Sequence, residues 1–133
     1  MRLYTLEEAD GQLPTVVPVL ERLRQATLAL GAQRSEAASA THHVGGNGHL
    51  KADPFAGDAQ AATHAAQEQI AKEAITQLEI WGIELKDPER GLIDFYWEHE
   101  GEVVFLCFLL GEARISWWHR LDAGFAGRTP LAR

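Results

Sequence analysis

An apolar stripe that starts behind a capping box commits the first part of this chain to helix. Thr5 and Glu8 stand three residues apart, so hydroxyl and carboxylate can each satisfy an orphan backbone amide, and a helix is expected from about Leu6. From there Leu6, Ala9, Leu13, Val16, Leu20, Leu23, Thr27 and Leu30 recur at alternating steps of three and four, a heptad-like seam ending at a stop signal, Gly31. Thr27 is its single polar member; its methyl suits the seam while its hydroxyl bonds back to the preceding turn. Pro14 and Pro18 each remove a donor and crowd the turn before them, which predicts a short helix kinked into a longer one.

Beyond Gly31 the pattern dissolves into Ala, Ser, Thr, Gly and His, and a His/Gly-rich loop is expected over 32–57. Periodicity returns in a second helix over 58–82, with Ile70, Ala71, Ala74, Ile75, Leu78 and Trp81 on its apolar face and Gly82 at its end. After the turn-rich KDPERG come three β-rich runs, Leu92 to Glu98, Glu102 to Leu110 and Arg114 to His119, separated by Glu100-Gly101 and Gly111-Glu112. With two-residue turns, Asp94 lies across from Cys107 and Cys107 across from Ser116. One face then carries Ile93, Phe95, Trp97, Val104, Leu106, Phe108, Ile115, Trp117 and His119 and covers the helices. The other carries Leu92, Asp94, Tyr96, Phe105, Cys107, Leu109, Arg114, Ser116 and Trp118. A one-residue change in either turn would swap some of these assignments.

The fold expected is α+β in a single domain over 1–133: a long antiparallel helical hairpin (1–31 and 58–82) packed on a three-stranded antiparallel β-meander (91–119), followed by an extended C-terminal tail (120–133). At 133 residues one domain is the natural outcome. A net charge of -7 argues against a nucleic-acid partner, which needs clustered Lys and Arg. Acidic residues stand near the start where a signal peptide would be apolar, and no apolar run reaches the roughly 20 residues needed to span a bilayer, so we expect a cytoplasmic protein with no membrane association. Cys107 is the only cysteine, which excludes an internal disulfide and any zinc site built on a Cys pair. Its setting, FLCFLL, suits an inert buried thiol.

Three segments together resemble a known family. TLEEADGQLP (5–14), GIELKDPERGLIDF (82–95) and LCFLLGEARISWWHRLDAGFAGRTPL (106–131) are similar to the bacterial and archaeal domain of unknown function 2203. The resemblance implies a helical hairpin followed by a small sheet and brings no established activity, substrate or catalytic residue. Phe108 stands where that pattern has a tryptophan after the cysteine, and Tyr96-Trp97-Glu98 is more polar than the pattern.

The polar residues of the last third define the sharpest candidate site. Asp94, Glu112, His119, Asp122 and Arg128 are of the types that bind a divalent metal or act as acid, base and anion clamp, and a carboxylate inside GLIDF is costly to bury unless paired. The structural alternative pairs Asp94 with Arg114 or Arg128 and locks the sheet to the tail. His119, likewise, serves either beside Asp122 or Glu112 as a ligand or with one backbone acceptor as a structural group. His42, His43 and His49 flank VGGNG and form a second candidate metal set, with no Cys or spaced carboxylate to complete it. In GFAGR, Phe125 is expected to tuck the tail against the domain while the glycines permit bends. Trp117 and Trp118 point to opposite faces, so one of them lines a pocket, patch or interface. The function expected is therefore a non-enzymatic interaction or assembly protein, a homodimer with an unknown protein partner, paired through its leucine-striped helices in preference to its outer sheet faces. The alternative is a metal-binding or small-molecule site at the sheet edge.

Overall fold

The computed structural model describes the backbone of residues 1–44 and 54–132 and the side chains of residues 1–33 and 59–132. A short strand β1 (Leu3–Tyr4) leads into helix α1 (Leu6–Val44), which begins where the capping box places it. The Glu8 amide donates to Thr5 Oγ1 and the Thr5 amide to Glu8 Oε1, both at 3.0 Å. Ala9, Leu13, Val16, Leu20 and Leu23 of the stripe are buried, and the Thr27 hydroxyl donates to the Leu23 carbonyl at 2.8 Å.

The expected helix boundaries need correction on the loop side. α1 passes through Gly31 to Val44, and α2 (Pro54–Ile80) starts before Asp58, so most of the supposed 32–57 loop is helix. A lone glycine costs a helix only about 1 kcal/mol, and good helix formers such as Ala32, Gln33, Glu36 and Ala37 follow it. Pro54 has the backbone angle that a first helical turn requires. Pro14 and Pro18 do not divide α1: both are exposed, where the carbonyls that lose a donor can turn to water. On α2, Ala74 and Leu78 are buried as expected, whereas Ile70 is exposed. No helix among the described residues is long and apolar enough to cross a membrane.

The sheet is larger than a meander. It has six strands, with β2 (Ile83–Asp87), β3 (Leu92–His99), β4 (Glu102–Leu109), β5 (Trp117–His119) and β6 (Thr129–Pro130) joining β1. The order is β1–β3–β4–β5–β6, and β2 shares with β1 the same edge of β3. β1 runs parallel to β3, pairing Leu3 with Tyr96; the other pairs are antiparallel. The sequence expectation missed β1, β2 and β6 because two are only two residues long and β2, IELKD, is half polar and ends in a turn. The β3–β4 turn falls at Glu100-Gly101, both at positive φ, as the tight hairpin demands.

β3 and β4 pair in the expected register, with Asp94 opposite Cys107, but β4 and β5 do not. Cys107 faces Trp117 rather than Ser116, a slip of one residue that inverts the third strand. The cause lies in the connection. The Glu112 side chain turns back to accept the Leu109 amide, and Ile115 gives its amide to Asp10 Oδ1 of α1 at 2.9 Å instead of to β4. Ile115 is thereby drawn into the helix–sheet core, where Ile93, Phe95, Leu106 and Phe108 meet Leu13, Val16, Leu20, Leu23 and Leu78. Each such large side chain contributes roughly 1.5–3 kcal/mol when fully buried.

Two glycines test how tightly the β connections are drawn. Gly91 has φ +68 and a Cβ there would lie 2.7 Å from Leu110 Cβ; Gly101 has φ +79 with open space around it. Gly101→Ala should cost about 1 kcal/mol, the left-handed backbone penalty alone, and Gly91→Ala clearly more because the start of β3 and Leu110, just after β4, must separate. Equal losses in denaturant midpoints would show that the Gly91 contact relaxes freely.

Candidate functional site

The face of the sheet turned away from the helices is not bare. Strand pairing aligns Asp94, Cys107 and Trp117 in one cross-strand row and Tyr96, Phe105 and His119 in the next. The register slip that moves Trp118 onto the core face therefore moves His119 onto the face of Asp94. His119 Nε2 lies 2.9 Å from Asp94 Oδ2, and its Nδ1 lies 2.8 Å from the Arg120 carbonyl. A carbonyl only accepts, so Nδ1 carries a hydrogen; Nε2 and Oδ2 share the remaining proton between them. Asp94 and His119 are 1% and 3% exposed, which removes solvent screening from their interaction.

Cys107 completes the cluster. One ligand atom each from Asp94, Cys107 and His119 lies within 4.8 Å of the other two, and all three residues are buried. Asp94 Oδ1 has no hydrogen-bond partner of ordinary geometry, and the Cys107 thiol, a weak donor, acts on the same carboxyl group. Burial pushes the Asp94 carboxyl above its ordinary value, opposed by His119, the thiol and Lys86. Burial, then the Asp94 charge, pushes the Cys107 thiol up to about 12. Around the rim Tyr96 donates to Glu84 Oε1 at 2.8 Å, and the Lys86 ammonium sits 4.5 Å over the Phe105 ring.

The tail closes the neighbouring part of this face. Arg128 donates through Nη2 to both Glu112 oxygens at 2.8 Å, while its guanidinium stacks 4.8 Å from the Trp117 ring and 4.6 Å from Phe125. Arg90 approaches Phe125 at 4.4 Å. Cation–π contacts of this kind contribute about 0.5–2 kcal/mol each. Trp117, which lies under Arg128, is paired with Cys107 across β4 and β5, and this places the clamp beside the buried cluster.

Residues 2–131 match the model of a family described as an uncharacterized conserved protein, DUF2203. The chain belongs to that family. No curated protein and no solved structure matches it.

Within this DUF2203 chain the five expected site residues divide. Asp94 and His119 meet; Glu112 and Arg128 pair with each other; Asp122 is exposed and stands outside both groups. The carboxyl group of Asp94 is thus hydrogen-bonded by His119 and not paired with Arg114 or Arg128: Arg114 is exposed and Arg128 is held by Glu112. Of the loop histidines, His42 and His43 fall on the α1 backbone with side chains outside the described residues, and His49 lies outside them altogether. Phe125 does tuck the tail in, between two arginines. Trp117, expected on the core face, lies under Arg128, and Trp118, expected outside, packs against the core beside His99. The residue missing from the expected site was Cys107, although its pairing opposite Asp94 was already legible.

Removing one partner of the buried pair strands the other. His119→Phe should cost about 3–5 kcal/mol, while Asp94→Leu/His119→Phe should recover most of that loss, measured by chemical denaturation. Recovery would fail if the pair holds the sheet through more than its charges. The thiol supplies a pH signature. The folded chain holds the Cys107 proton more tightly than the unfolded chain, so its contribution is full below the ordinary value of 9.0 and is lost as pH rises toward about 12. Across that window metal-free wild type should lose on the order of 2–4 kcal/mol more stability than Cys107→Ala.

Proposed function

We propose that this protein binds one divalent cation of the zinc class through Asp94, Cys107 and His119, as a structural clamp across β3, β4 and β5. The observation that carries this reading is the convergence of three donor atoms within 4.8 Å, from three strands, with one buried carboxylate oxygen left without a partner. Thiolate, imidazole and carboxylate suit zinc better than magnesium or calcium, which favour oxygen alone. The Nδ1–H bond to the Arg120 carbonyl is the kind of outer contact that orients a ligating imidazole. A dication with thiolate, carboxylate and neutral imidazole is electrically neutral, which suits a buried site. Loading would displace the thiol proton and the shared proton, reversing the effect of burial on both acids.

Ligands this deeply buried leave no approach for a substrate, which favours a non-enzymatic role. The exposed surfaces are then the parts that meet other chains. Tag-free protein purified without added metal, then titrated with zinc against a chromogenic chelator, should bind one equivalent and release about two protons per ion. Binding should disappear in Cys107→Ala and in Asp94→Asn and survive in His42→Ala/His43→Ala/His49→Ala. Failure of the folded wild-type protein to take up zinc, or uptake unchanged in Cys107→Ala, would refute the clamp.

A further inference from the structure

The sheet has one edge built for pairing. β2 bonds only to β3 among the described residues, so half of its backbone donors and acceptors point outward along Ile83–Asp87. Beside that edge runs a groove of about 850 Å³, lined by Met1, Ile75 and Ile80 on one side and by Ile83, Glu84 and Leu85 of the strand on the other. Large apolar side chains exposed among the described residues include Met1 at 85% and Leu3 at 44%, just before and within β1, and Ile80 at 69%, at the end of α2 shortly before β2. Exposed apolar surface beside a free strand edge is a hazard unless something covers it.

The strand's own sequence says what fits. Glu84 and Lys86 both project on the outer face, Glu84 toward Tyr96 and Lys86 over Phe105. We infer that β2 pairs antiparallel with β2 of a second copy about a two-fold axis at Leu85, making one continuous sheet across a homodimer. That register sets Glu84 opposite the partner's Lys86, and by symmetry Lys86 opposite the partner's Glu84. Leu85 meets its own counterpart above the groove, where Met1, Ile75 and Ile80 of both copies become covered. An edge lysine and a β-bulge, here between Leu85 and Asp87, ordinarily repel stray strands. A second copy brings Glu84 directly opposite Lys86, so the edge that discourages stray strands accepts itself. The dimer thus uses neither the helical stripes, which are buried within the chain, nor the outer sheet face, which the tail clamps.

Light scattering tests the pairing by charge reversal. Wild type should scatter at twice the chain mass of 14.7 kDa. Glu84→Lys and Lys86→Glu each place like charges opposite one another and should run at the single-chain mass. Mixed in equal amounts, the two variants regain both opposite pairs and should return to twice that mass. Amide exchange at Ile83–Asp87 in wild type, which needs no variant, should slow as concentration rises. A wild type that stays at the single-chain mass, a dimer indifferent to both reversals, or β2 amides whose exchange ignores concentration would overturn the inference.

Discussion

A carboxylate placed in the middle of a buried strand is the constraint around which the outer half of this molecule is arranged. Asp94 cannot be desolvated alone, since an unpaired buried charge costs several kcal/mol. Its partner, His119, reaches it only if β5 pairs with β4 in the register observed, and that register places Trp117 beside Cys107 on the same face. Trp117 in turn needs cover, which Arg128 and Phe125 of the tail provide. Pairing one acid therefore determines strand register, the outward tryptophan and the course of the tail. The core on the other face follows a simpler rule, apolar side chains of β3 and β4 against two helices.

That difference explains which parts were legible from residues alone. The capping box, the stripe of α1, the apolar end of α2 and the β3–β4 hairpin are local patterns, each decided within a few residues. What escaped depended on distant partners. The β4–β5 slip is driven by Asp10 accepting the Ile115 amide, a contact across 105 positions. β1 and β6 are too short for any alternation, and β2 forms because β3 offers it an edge. For the site, residue type was a good guide and grouping was not. Asp94, His119, Glu112 and Arg128 are all engaged, but as two neighbouring pairs, and Cys107 entered through its place opposite Asp94 in a hairpin already anticipated.

The match to DUF2203 covers nearly the whole chain, and the two helices are flanked by strands of the one sheet, β1 before α1 and β2 after α2. Tyr4 in β1 donates to the Trp81 carbonyl just beyond α2, closing the hairpin across 77 positions. Gly82 follows at φ +73, with Arg2 so close that a side chain there would collide. The strand edge at β1 and β2 is thus assembled from two segments widely separated in sequence.

Such an edge has a kinetic consequence. The helices and the β3–β4 hairpin need only neighbours and can form in microseconds, whereas β1 must find Tyr96 and Trp97 with both helices already looped out between them. Closing that loop is entropically opposed until the sheet it joins exists. On this reasoning β1 is expected to join after the rest of the sheet, and until it does Tyr96 and Trp97 present an open strand to whatever is near.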